Sequence, residues 1–280
     1  MKKVLFLTLC GLYVLLLSCQ KELTGDGTSP NPVDKKTCAL TRVSGLQWSS
    51  IQEDSTMYTQ IVYDNTGRIL HVITPKKDTS TYAYFGSHID VNDPYTADDG
   101  SGTEVVYDFK EKYFLQTNGL AAYSVMTLAN GLVLVDSTTY TYDTQGQLTE
   151  LKDFNFMISE NPTIDYTYAN GNLQKIVFRN ASTYYPDSII IKSSTLPMPG
   201  ESFRFLYWDK YRSYDYYPWT GKMSKNMRAE AIYYNGSNVD QYTYNYDVNA
   251  DGLPAAVRTI WHQNGTLVDT QTSFVEFNCK

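Results

Sequence analysis

The chain predicts an all-β fold: a large, twisted antiparallel meander sheet built from consecutive hairpins, with at most one or two short helices. Three observations predict it. Tyr and Thr alternate in short runs, such as Thr139-Tyr140-Thr141-Tyr142, Tyr166-Thr167-Tyr168 and Tyr242-Thr243-Tyr244-Asn245-Tyr246. Both residue types suit a pleated, half-buried surface. Asn-Gly pairs punctuate the chain at Asn118, Asn130, Asn170, Asn235 and Asn264. Such pairs between alternating residues are strong hairpin signals, because the turn needs positive φ. Finally, a unit recurs in which a Tyr-rich strand meets a polar turn with Gly and an apolar strand leaves it.

In chain order, residues 1–18 come first. Lys2 and Lys3 precede an apolar run from Val4 to Leu17, the order of a secretory signal peptide. The run is short of the about 20 residues a spanning helix needs. Leu16-Leu17-Ser18-Cys19 resembles a bacterial lipobox. Cleavage before Cys19 then leaves that cysteine to carry a lipid. The expectation is a protein anchored to a membrane by lipid without crossing it.

Residues 19–37 form the lipidated Cys19 and a tether. From Gln20 to Thr37 the segment has almost no apolar content and cannot offset its ordering entropy. Its reach is roughly 25 Å. Residues 38–280 are long enough for one β-rich, repeat-containing domain, and no second linker interrupts them.

Within that domain the recurring units are Tyr63-Asp64-Asn65-Thr66-Gly67-Arg68-Ile69, Tyr142-Asp143-Thr144-Gln145-Gly146-Gln147-Leu148, Tyr168-Ala169-Asn170-Gly171-Asn172-Leu173 and Tyr246-Asp247-Val248-Asn249-Ala250-Asp251-Gly252-Leu253. The pattern predicts roughly 14 to 16 strands. The best helical candidate is short, near Lys222 to Arg228. Cys10 leaves with the leader and Cys19 is used by the lipid, so Cys38 and Cys279 remain. A bridge between them would close a loop of about 240 residues, worth on the order of 5 kcal/mol in the chain-entropy model. The alternative is two unpaired thiols in terminal strands.

The Tyr-Asp…Gly units resemble the YD-type, RHS-like repeats found in many lipoproteins of Bacteroidetes, over most of residues 57 to 277. Gly221-Lys222-Met223-Ser224-Lys225-Asn226-Met227 is similar to a motif of one such family of unknown function, and Gln20-Lys21-Glu22 behind the lipobox is similar to lipoproteins of that phylum. One unit departs from the pattern with Ala169 in place of Asp, and the spacing between units is uneven. The resemblance implies an all-β extracytoplasmic lipoprotein and transfers no catalytic residue.

Charge narrows the partners. Loss of Lys2 and Lys3 with the leader takes the net charge from −7 to −9. Nucleic acid, which requires clustered Lys and Arg, is not an expected partner. The aromatic stretch from Phe203 to Trp219 is the best candidate ligand surface, with Trp208, Tyr211, Tyr214, Tyr216, Tyr217 and Trp219 as ring platforms for a glycan or an envelope protein. The opposing reading is that the stretch folds back over the sheet. The alternating tyrosines offer a second platform, a ladder across strands, against ordinary cross-strand packing.

No cofactor is expected. Asp247, Asn249 and Asp251 match the first half of a calcium loop, but Arg258 stands where a bidentate Glu is needed. The alternative is a lengthened repeat turn. Asp90, Asn92, Asp93, Asp98, Asp99 and Glu104 read as an acidic hairpin loop. His71, His88 and His262 form no zinc pattern. No nucleophile elbow or phosphate loop is present; the remaining catalytic options are a Ser/His/Asp set assembled only in three dimensions and a carboxylate pair such as Glu150 with Asp153. The reading is a non-enzymatic, lipid-anchored binding or assembly module of the outer membrane, on its periplasmic or cell-surface side. The alternatives are a carbohydrate-binding surface lipoprotein and an extracytoplasmic hydrolase.

Overall fold

The alternation of Tyr, Thr and aliphatic residues builds strands along the whole described chain. The structure, a computed structural model, describes residues 38–44, 58–74, 78–98, 104–128, 133–156, 161–181, 185–200, 217–222 and 224–279. Cys10, Cys19, the leader and the tether lie outside them, as do Trp208, Tyr211, Tyr214 and Tyr216.

The first half of the barrel comprises β1 (Cys38–Ser44), β2 (Tyr58–Tyr63), β3 (Ile69–Ile73), β4 (Thr79–Tyr84), β5 (His88–Asp98), β6 (Glu104–Leu115), β7 (Ala121–Leu128) and β8 (Val133–Tyr142). The second half comprises β9 (Leu148–Asn155), β10 (Thr163–Ala169), β11 (Asn172–Arg179), β12 (Ser188–Pro197), β13 (Asn226–Asn235), β14 (Asn238–Val248), β15 (Pro254–Gln263) and β16 (Thr266–Cys279). Each strand pairs antiparallel with its neighbours in sequence.

The sheet is not an open meander. β1 pairs β16 from Cys38↔Cys279 to Ser44↔Phe274, closing a barrel of sixteen strands. Closure removes the two edges that an open sheet would expose. A disulfide joins Cys38 to Cys279 at the seam. Two further readings are corrected. The segment near Lys222 to Arg228 is not helical: the helical turn lies earlier, a 3₁₀ turn at Pro218–Thr220, and β13 begins at Asn226. The acidic run from Asp90 to Asp98 is strand β5, not a loop, and Glu104 opens β6.

Antiparallel order places alternate connections at alternate ends. All four recurring units therefore turn at one rim, which also carries Cys38 and Cys279. Three of the four share their turn chemistry. Asp64 Oδ1 accepts the backbone N–H groups of Thr66 and Arg68 at 2.8 and 3.0 Å. Asp143 Oδ1 does the same for Gln145 and Gln147 at 2.8 and 2.9 Å. Asn249 Oδ1 takes Asp251 and Leu253, both at 3.0 Å. Gly67, at φ 87°, completes the first turn in a backbone region that side chains disfavour.

The unit's tyrosine holds the rim from inside. Tyr63 donates its hydroxyl to the Leu40 carbonyl at 2.6 Å, and Tyr246 to that of Arg228 at 2.5 Å. Tyr142 donates to the Trp219 carbonyl at 3.4 Å. A ring that fills the interior while its hydroxyl meets a carbonyl explains why tyrosine stands there.

The described end of the β12–β13 connection, residues 217–222 and 224–225, lies at this mouth of the barrel. Tyr217 and Trp219 stack at 4.7 Å, and Trp219 meets Tyr82, Tyr84 and Tyr113 edge-on or tilted at 5.4 to 6.1 Å. The chain then passes the β8–β9 turn, where Lys222 N–H donates to Gly146 at 2.8 Å, and the β10–β11 turn, where Lys225 N–H donates to Gly171 at 3.0 Å. Gly221 passes close to backbone: a Cβ there would sit 3.0 Å from the Leu148 nitrogen and 3.2 Å from the Tyr142 ring. The core inside the barrel includes Leu40, Ile61, Leu151, Ile164, Ile176, Ile189, Met227 and Tyr233, each at most 2% exposed.

Candidate binding groove and lumenal carboxylates

Strand alternation gives the barrel two faces of opposite character. Leu151, Ile164 and Phe178 point inward in register across β9, β10 and β11. The residues between them face out and are ionic. Arg179 pairs with Asp165 at 2.5 Å and with Glu150 at 3.4 Å, and Lys152 pairs with Glu150 at 2.9 Å. Further round the wall, Lys192 pairs with Glu230, and Arg42 pairs with Glu276 at 3.4 Å while its guanidinium lies over the Tyr58 ring. A barrel that crosses a membrane carries an apolar band on this face. These strands carry ion pairs there instead, while Phe85, Val106, Phe154 and Phe274 are exposed elsewhere on the barrel.

One part of the outer wall is concave. On β4–β7 a depression of about 540 Å³ is lined by Ala83, Asp90, Asn92, Lys112, Phe114 and Thr127, among others. That size falls in the ordinary range of small-ligand sites. Three cross-strand rows build it. Phe114 stacks on Tyr123 at 4.4 Å and 13°, and beside it His88 stacks on Phe85 at 4.5 Å and 14°. The next row places Asp90 beside Lys112, with an ion pair at 3.4 Å. The third row runs His71, Thr81, Asn92, Lys110, Thr127 across β3 to β7. In that row, His71 Nδ1 and Asn92 Oδ1 are buried atoms with no hydrogen-bond partner. Buried polar atoms are ordinarily paired, so two orphans in one row are unusual.

Behind the same strands, the lumen holds carboxylates. Glu111 and Asp136 lie in one inward row with Met126 between them, and Tyr113, Ser124, Thr138 and Asp153 form the next. Tyr113 donates to Glu111 at 2.6 Å, Ser80 to Asp93 at 2.5 Å, and Thr138 to Asp153 at 3.0 Å. Burial pushes the Glu111 carboxyl up to about 7, against the pull of its Tyr113 hydrogen bond. Asp136 is also raised, first by burial and then by its hydrogen bond to Asp153. The inner member, Asp153, is 4% exposed, which leaves little of it for a substrate to reach.

Glu150 and Asp153 are not brought together. An odd spacing in a strand sends them to opposite faces, Glu150 to the outer ion pairs and Asp153 to the lumen. Tyr217 and Trp219, the described members of the aromatic stretch, lie inside the barrel, Trp219 at 4% exposure. Asn249 is occupied as the turn acceptor already described, while Asp247 and Asp251 are exposed. Among the described residues, no three His, Cys, Asp or Glu side chains gather where a metal ion would be held. Sequence reasoning missed the groove. Its only signal was the alternation of His88, Asp90 and Asn92 along one strand, matched by Lys110, Lys112 and Phe114 on the next.

No known protein-family model matches the chain, and no curated protein matches it. Solved structures do. A porin-like protein from Bacteroides uniformis superposes with a TM-score of 0.57 at 14% identity, covering 88% of this chain and 98% of its own. A porin-like protein from Bacteroides vulgatus gives 0.56 at 13% identity, covering 86% and 98%. At those identities the likeness is one of fold.

Proposed function

We propose that this protein is a non-enzymatic, lipid-anchored module of the bacterial envelope that holds a water-facing β-barrel off the membrane for binding or assembly. One observation carries the reading: on β9–β11 the outer wall is ionic and the inner face apolar, the reverse of what a bilayer-crossing barrel presents there. Membrane attachment then has to come from elsewhere, and Cys19 behind its leader supplies it. A tether reaching roughly 25 Å leaves the wall free to meet a partner. The barrel's likeness to porin-like proteins fits an envelope location.

The test is detergent-phase partitioning of the wild-type protein and Cys19→Ala, expressed with the native leader. Wild type enters the detergent phase and Cys19→Ala stays in the aqueous phase. A Cys19→Ala protein that remains in the detergent phase contradicts the reading, because the barrel would then be its own anchor.

A further inference from the structure

We propose that the outer-wall groove on β4–β7 is a binding site for a neutral oligosaccharide, an inference that rests on reading the protein as a binding module. Four features select that ligand class. Phe114 lines the groove and stacks face to face on Tyr123, which is 40% exposed, so each ring keeps one face turned away from the other on which the C–H face of a sugar ring can lie. The groove's charges are already matched within the wall: Lys112 pairs with Asp90, and Lys110 with Asp108 at 3.7 Å. A ligand of either net charge would have to disrupt these pairs, and a neutral one would not. Thr81, Thr127 and the Lys112 ammonium supply hydrogen-bonding groups of the kind hydroxyls satisfy.

The fourth feature is the orphaned pair. Asn92 Oδ1 in the groove, and His71 Nδ1 two strands away in the same row, are buried acceptors or donors without partners. Asn92 Oδ1 accepts only, so its missing partner is a donor, and a sugar hydroxyl supplies one. An apolar ligand would leave it unmet, at the cost of a buried unsatisfied acceptor.

The experiment is retention of the full-length protein on an array of neutral gluco-, xylo- and manno-oligosaccharides beside uronic-acid oligosaccharides. Phe114→Ala, Asn92→Ala and the outer-wall control Lys152→Ala are run in parallel, with a thermal melt of each. Wild type and Lys152→Ala retain at least one neutral series, and Phe114→Ala and Asn92→Ala each weaken it by about tenfold or more. If Phe114→Ala does not melt as a folded protein, Tyr123→Ala at the exposed end of the stack takes its place. Retention of no neutral sugar, retention of uronates alone, or retention unchanged by both groove substitutions overturns the assignment. Failure here is separable from failure of the anchored-module reading. A protein that partitions as expected but retains no sugar loses the groove alone. One that retains sugar while Cys19→Ala stays in the detergent phase loses the anchor alone.

Discussion

Two carboxylates three residues apart on β9 live in different solvents. Glu150 faces out, between Lys152 and Arg179, and its charge is met by cations in water. Asp153 faces in, hydrogen-bonded to Thr138 and coupled to Asp136, among neighbours that are themselves acids. The same contrast runs round β5–β11. Outside, ions are paired and wetted. Inside, acids are held by hydroxyls, and burial raises Glu111 and Asp136. On β9–β11 the difference is the reverse of what a barrel in lipid shows, and under the proposed function it extends to the wall as a whole.

The largest expected effect breaks the inner side of that comparison. Trp219→Ala removes the ring that wedges among Tyr82, Tyr84, Tyr113 and Tyr217, and should cost about 3–5 kcal/mol of stability. Chemical denaturation of the disulfide-bonded protein measures it. A loss below 1 kcal/mol, by rough comparison with surface substitutions, would mean that Trp219 is not packed among the interior tyrosines.

A smaller effect sharpens the electrostatic side. The Glu111 carboxyl is raised from 4.5 to about 7 by burial. Below the lower value both folded and unfolded chains are protonated. Between the two values the unfolded chain ionises first, so stability falls as pH rises, and it is level again above about 7. The total is on the order of 3 kcal/mol. Glu111→Gln should remove this component, so the stability difference between variant and wild type grows from pH 4.5 to 7 in the variant's favour. Parallel pH profiles of the two proteins would place Glu111 in water.

The smallest effect belongs to the wall. Arg179→Ala removes the ion pairs to Asp165 and Glu150, yet these groups are exposed and screened by solvent. The melting temperature should barely move, and what shift there is should shrink in high salt. A large, salt-insensitive loss would mean that the pairs are desolvated by something covering the wall.

Much of this architecture could be read from the chain, for local reasons. Alternation and Asn-Gly turns are short-range signals, and they predicted the all-β class and a strand number close to that found. The Tyr-Asp-x-x-Gly unit is likewise local: the acid's oxygen caps its own turn. Closure was only half legible: the sequence left Cys38 and Cys279 as the two remaining cysteines, with a bridge as one of two alternatives, but the β1–β16 strand pairing that closes the barrel is a contact across 241 residues that no local signal states. The lumenal cluster was hidden for the same reason, since Asp93, Glu111, Asp136 and Asp153 come from four strands. The pairing of Glu150 with Asp153 failed on a rule the sequence does contain, because an interval of three changes face in a strand. The acidic run at Asp90 misled because its charges alternate between faces: Asp90 goes to Lys112 outside, and Asp93 accepts from Ser80 inside.

The central claim, a barrel wall that stays in water, is tested most directly by labelling Lys152→Cys in the lipid-attached protein on intact vesicles. Lys152 sits on the outer face of β9 with its side chain 61% exposed. A membrane-impermeant maleimide should modify the introduced thiol as fast on vesicles as in detergent solution. Protection on vesicles that detergent relieves would contradict the account, because it would place that wall inside the bilayer.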